Sequence, residues 1–377
     1  MFKIIFILII SSLCSLFLGI ALIRYIQRKI LNYLSVENYK EAIHPDSKYL
    51  MNQIPSEELS LTQLEKDTFL KRYDFCYFVH GTFVGNDPFH IYGLLSYLFP
   101  ENGKPIIEKI QQYGHKNHLA FIKDFGNFNS FHISSLKELV DSDFPAETFT
   151  WSSGNNHLAR VNGAIKLLKS IISKHDYKSS ILLIGHSHAG QIFALMSLII
   201  NNIFFRKKLS RIVGRKNLLM IEKKLKFLKT LKFTFVTLGT PPRYQWHISP
   251  KMKLIHFINH RGNEPIGGSF SGLLTTRDGD YVQQWGIAGS DIVSPLNEEA
   301  LINTELNQLL GEGSNIVELK KNIKTRKRLH RNGKNLLVDY RDQGNLPNFF
   351  KTALGHGVYT KVNLLPFHLK EILKHLD

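Results

Sequence analysis

Six consecutive residues, Gly185-His186-Ser187-His188-Ala189-Gly190, set one hydroxyl between two imidazoles on a segment otherwise made of small residues. An apolar run, residues 179–184, precedes them, and apolar residues at helical spacing follow as far as residue 203. A turn of the G-x-S-x-G type between a strand and a helix forces the serine onto a sharp bend. Small neighbours there let strand and helix approach closely and lift Oγ clear of the sheet. That arrangement suits nucleophilic catalysis. A serine hydroxyl is a weak nucleophile, so it needs a base within hydrogen-bond reach, and the base needs an acceptor that fixes its tautomer. The competing reading is a glycine-rich turn of any doubly wound fold. A phosphate-binding loop does not fit, because no Gly-Lys-Ser/Thr follows.

The turn needs a scaffold, and the chain supplies one. Residues 73–79 form an aromatic-rich apolar run ended by His80-Gly81, and residues 147–151 form a second, followed by an amphipathic stretch with Leu158, Val161, Ala164, Leu167, Leu168 and Ile171 on one face. Residues 233–238, 253–258 and 336–340 are three more strand candidates with helical or loop segments between them. Strands alternating with helices predict an α/β fold, a mostly parallel sheet covered by helices on both faces.

Three motifs in this order resemble the α/β-hydrolase superfamily, and within it lipase-like members. They are Val79-His80-Gly81-Thr82 after an early strand, the Ser187 turn, and Thr237-Leu238-Gly239-Thr240-Pro241-Pro242 after a later strand. Ala189 stands where these members commonly have a second Gly. The resemblance covers residues 73–377 and implies an esterase or lipase-like serine hydrolase with its residues in the order Ser, acid, His. Ser187 is then the nucleophile. His356, in the Gly-flanked loop Leu354-Gly355-His356-Gly357, is the general base. Glu264, in the loop after the strand ending at Ile258, is the acid, with Asp291 second choice and Asp339 third; each of these carboxylates also fits a surface or capping role. The resemblance assigns the oxyanion hole to the N–H groups of Thr82 and His188, with His80 ordering that loop. His330, inside a basic block, and His368 and His375, in a terminal helix, are expected on the surface. A metal site built from His80, His186 and His188 would need a carboxylate that the sequence does not place. No cofactor is implied.

Segments that leave a parallel strand lie at the catalytic edge, and segments that enter one begin at the other. Residues 266–295 are therefore a lid or pocket candidate, and Tyr244 and Trp246 either wall an acyl pocket or pack in the core. Formal charge is +17, and two segments hold all of it. Residues 206–232 carry eleven Lys/Arg against Glu222, and residues 318–334 carry eight against Glu318. Both run into strands, so both are expected away from Ser187, as solvated faces or as sites for anionic membrane. They lack the interleaved aromatics of a nucleic-acid surface.

At the N-terminus, residues 4–23 are uncharged, long enough as a helix to cross the hydrocarbon core, and end without a small-x-small cleavage pattern. They predict a single-pass transmembrane anchor over residues 1–28, then a stalk over 29–72 and the hydrolase domain over 73–377. Basic flanks tip the domain toward the cytoplasmic face. The two cysteines, Cys14 and Cys76, exclude a disulfide framework. With 377 residues, 43% hydrophobic and 21% charged, disorder and a polytopic membrane protein are also excluded. The expected activity is cleavage of a small-molecule or lipid ester. The alternatives are an interfacial lipase or phospholipase, and a non-catalytic adaptor of the same fold that binds anionic membrane or a partner through its basic segments.

Overall fold

The computed structural model describes residues 48–50, 60–82, 126–260, 279–280, 282–325, 328–340 and 355–375. A parallel sheet organises them. In chain order the elements are β1 (Lys48–Leu50), α1 (Gln63–Arg72), β2 (Phe75–Val79), α2 (Ser130–Leu139), β3 (Ala146–Phe149), α3 (His157–Lys174) and β4 (Ser180–His186). There follow α4 (Ala189–Asn201), α5 (Ile203–Ile212), α6 (Arg215–Lys223), α7 (Leu225–Leu228), β5 (Lys232–Leu238) and β6 (Met252–Asn259). The chain closes with α8 (Val282–Trp285), α9 (Asn297–Leu310), α10 (Ile316–Thr325), β7 (Lys334–Val338) and α11 (Leu365–His375).

Spatial order is β1-β7-β6-β5-β4-β2-β3, and every pairing is parallel. The strands read as nearly continuous apolar runs because both faces are covered. Alternation assigns each residue to a face. Tyr77, Val79, Ile181, Leu183, Phe233 and Phe235 pack into a core with α3 and α4. Cys76, Phe78, Leu182, Ile184, Val236 and Phe257 point the other way, into a second core with Phe69 of α1, Leu136 of α2 and Leu369 of α11. The α/β class and the two-sided covering follow the sequence expectation.

The expected boundary at residue 72 does not hold. Phe69 is fully buried, Arg72 Nη1 donates to Leu373 O, and the three residues of β1 extend the sheet beside β7. Helix α1, opened by a Thr62–Glu65 capping box, is therefore part of the folded unit and not of a stalk. Residues 4–23 lie outside the described residues. Among the described residues no single helix is long and apolar enough to cross a membrane; α4 and α5 together pass by composition but bend by 110°. Helix α4 is buried over nearly its whole length in the sheet's core.

Candidate active site

Strand β4 ends at His186 and helix α4 begins at Ala189, which leaves Ser187 to make the turn with φ of +55°. A non-glycine residue in the left-handed region is strained and persists only when its surroundings hold it. Here Ser187 N donates to Leu238 O at 2.8 Å, and Thr240 Oγ1 donates to Ser187 O at 2.7 Å. The Gly-Thr-Pro motif thus fastens the bend to the end of β5. Gly190 exists for the same contact, since a Cβ there would collide with Thr240. Gly81 serves the other side: a Cβ would lie 2.8 Å from Ser187 Cβ, so only glycine lets the loop after β2 come this close to the serine.

That loop is held from beneath. His80 Nε2 accepts from Trp151 N at 3.3 Å, which puts the ring proton on Nδ1, where it reaches Gly81 O at 3.0 Å. His80 orders the loop, as expected. Thr82 Oγ1 and His188 Nδ1 are 2.5 Å apart, so the two residues expected to supply oxyanion donors are joined through their side chains. His188 is the N-cap position of α4, and the first amides of that helix, with its positive dipole end, lie beside Ser187. Burial, and next the charge of Arg160, holds His188 well below the usual imidazole range, so its ring is neutral.

His356 sits between Gly355 and a short 3-10 turn, Val358–Thr360. Its Nδ1 lies 2.7 Å from Asp280 Oδ2. An ionised carboxylate only accepts, so the proton is on Nδ1 and Nε2 carries the lone pair. That Nε2 is buried and has no hydrogen-bond partner; its bond to Ser187 Oγ is not made in this structure. Apo sites commonly leave this bond long until substrate arrives. Asp280 is fully buried and well supported. Gln283 N donates to Oδ1 at 3.0 Å, and Tyr359 OH donates to Oδ2 at 3.0 Å while accepting from Asn259 N at 2.7 Å. Burial pushes the Tyr359 phenol well above its usual range, so it stays a donor.

His186 links His356 to the end of β4. The two rings pack at 4.6 Å between centroids, with His186 Nε2 2.9 Å from His356 O and Nδ1 3.1 Å from Gly126 O. Burial, and then the charge of His356, pushes His186 down to about 3, so it is neutral and has one N–H for two carbonyls.

Sequence reasoning missed Asp280. Glu264 lies outside the described residues. Asp291, the second choice, is not on His356: its carboxylate pairs with Arg243 Nη1 at 2.7 Å and with Arg160 Nη2. Burial alone would raise its pKa, but the two guanidinium groups outweigh burial and hold it well below the carboxylate range. Asp339 lies just past β7, and the carboxylate on His356 is that of Asp280. The acid was sought directly after β6, whereas the chain leaves that strand and returns: Asp280 N donates to Asn259 O at 3.1 Å. The sequence offered only a glycine beside it, Gly279, whose reason the structure supplies: φ is +99° and a Cβ would strike the Asn259 backbone.

The remaining expectations fare differently. Residues 266–278 of the lid or pocket candidate lie outside the described residues; the described part of 266–295 holds Asp280, α8 and Asp291. Tyr244 and Trp246 are core residues, with Tyr244 OH accepting from Arg160 Nε at 2.8 Å. His330, His368 and His375 are buried, not on the surface. His330 stacks on His256 at 3.6 Å and donates to Thr240 O, while His368 Nε2 meets Tyr340 OH at 2.8 Å. The second basic segment also passes the catalytic edge, because Arg328 is buried with Nη1 on Asn259 O at 2.8 Å, before the chain descends the sheet to enter β7.

The ring nitrogens of His80 and His186 face the groups named above, and no cluster of three or more His, Cys, Asp or Glu side chains among the described residues is arranged for a metal. No protein-family model, curated protein or solved structure matches the chain.

Proposed function

We propose that the protein is a serine hydrolase that cleaves carboxylic esters through an acyl-serine intermediate, on an α/β-hydrolase fold. The observation that carries this reading is the state of His356. Asp280 accepts the hydrogen bond from its Nδ1–H and Nε2 is left bare, at the sheet edge where Ser187 is held in a strained turn. A buried imidazole with one nitrogen on a carboxylate and the other idle is arranged to accept a proton.

In the reaction Ser187 Oγ attacks the ester carbonyl carbon while His356 Nε2 takes the hydroxyl proton. The N–H groups of Thr82 and His188, with the N-terminus of α4, hold the oxyanion. Collapse breaks the carbon–oxygen bond to the alcohol, which leaves with the proton from His356. Water then attacks the acyl-serine, gives its proton to the same nitrogen, and releases the carboxylic acid and free Ser187. Asp280 orients the imidazole throughout and does not touch substrate.

The protein is anchored by residues 4–23, and the substrate is a soluble ester rather than host lipid, because the basic segment that ends at Lys232 enters β5 at the end of the sheet away from Ser187. Labelling of the full-length chain by a fluorophosphonate probe tests the reading. Wild type is expected to label and Ser187→Ala not to. A folded wild type that stays unlabelled, with no ester turned over, removes the enzyme and leaves the adaptor.

A further inference from the structure

Helices α5 and α6 carry a surface that catalysis does not use. Their inner faces are fixed by Phe205, Leu209, Leu218 and Ile221, all buried. Outward, α5 shows Phe204, Lys207, Lys208 and Arg211, and α6 shows Arg215, Lys216, Leu219, Met220 and Lys223. The spacing of three and four makes each a single stripe. Of the eleven Lys/Arg in residues 206–232, ten are exposed, and Glu222 is the one acid among them. The exception, Arg206, is turned inward, where Nη1 donates to Ile199 O and closes the C-terminus of α4.

Charge alone would fit any polyanion, but the stripe also shows apolar side chains to water. Phe204 is 77% exposed, Ile203 50%, Met220 40% and Leu219 39%. Beside Phe204 opens a cavity of about 490 Å³ lined by Leu198, Phe205, Leu309 and Leu310 together with Lys208 and Arg243. Cations alternating with exposed aliphatic and aromatic groups on short amphipathic helices match the headgroup–acyl boundary of an anionic bilayer. A duplex backbone would use the cations and leave the apolar groups in water.

We infer that the α5–α6 face docks on an anionic phospholipid bilayer. The inference stands apart from the hydrolase reading. Helix α4, about 20 Å long for its 13 residues, separates Ser187 from the first residue of α5.

Full-length Phe204→Trp protein, reconstituted in vesicles with brominated acyl chains, tests this. Quenching above the wild-type level is expected in phosphatidylcholine–phosphatidylserine vesicles and not in phosphatidylcholine alone, where the N-terminal run inserts equally. Each cation replaced by Gln at Lys207, Arg211 or Lys216 should weaken docking about fivefold. Added salt should release the indole from the surface. Equal quenching in both vesicle types, or none in either, overturns the inference. Displacement of the indole from anionic vesicles by a DNA duplex that also binds the protein alone reassigns the face to nucleic acid. Ester turnover and probe labelling are read in the same samples, so loss of docking with retained labelling separates this surface from the active site.

Discussion

Two regions of the molecule, the Ser187 edge of the sheet and the outer face of α5 to α7, handle charge in opposite ways. At the edge of Ser187, ionisable groups are buried and each is engaged by name: Asp280 by His356, Tyr359 and Gln283, and Asp291 by Arg160 and Arg243. On the α5 to α7 face ten cations stand in water with one acid among them in the sequence. Burial makes a lone charge costly, so the first edge is a set of closed networks in which removing one member strands the others. Exposure makes charge cheap and screened, so members of the second region act nearly independently. The difference predicts steep, specific failures in one region and small, additive ones in the other.

The largest effect is expected at the nucleophile. Ser187→Ala should lower kcat by about 10⁴- to 10⁶-fold with the fold retained, checked by ester hydrolysis beside circular dichroism. Asp280→Asn should cost about 10⁴-fold in kcat, because an amide can no longer fix the Nδ1–H tautomer of His356, while Glu264→Gln should leave kcat near wild type. Equal losses in those two variants would dissolve the assignment of the orienting carboxylate. Asp291→Asn breaks the comparison differently. Leaving Arg160 and Arg243 buried without their anion should cost about 3–5 kcal/mol in denaturant unfolding.

Acid should act on the catalytic edge in particular. Burial pushes His157, His186 and His368 down to about 3 and His330 to about 4, below the roughly 6.5 of an unfolded histidine. The unfolded chain therefore binds these protons first. Their contribution is fully present above about pH 6.5 and is lost as pH falls toward the folded values, by about 1.4 kcal/mol per histidine per pH unit. Thermal melts between neutral and acid pH should show Tm dropping steeply, and a flat profile would contradict burial of these rings. The smallest effect belongs to the α5 to α7 face. Replacing Lys207, Arg211 or Lys216 by Gln should move stability by no more than about 0.5 kcal/mol each, read by the same melts.

What the chain disclosed in advance was whatever is local. The apolar runs, the Ser187 bend, the loop at Gly81 and the Gly-Thr-Pro motif each occupy a few adjacent residues, and each is found where its pattern implied. His356 was legible from its glycine-flanked setting. Asp280 was not, because its place depends on a return to β6 across residues that carry no strand or helix pattern of their own. Burial of His330 and His368 was equally hidden, since a histidine beside lysines or on a terminal helix gives no sign of the carbonyl or phenol that receives it. The early start of the folded unit was missed for a related reason: the polar composition of α1 masks the single buried ring of Phe69.

One proton on His186 is claimed by two neighbours. With hydrogen on Nε2 the ring secures the backbone of residue 356, and with hydrogen on Nδ1 it secures residue 126. A neutral imidazole carries one N–H, so it can donate to only one of the two carbonyls at a time. Tautomer exchange at one ring next to Ser187 thus decides which carbonyl, that of His356 or that of Gly126, receives the hydrogen bond.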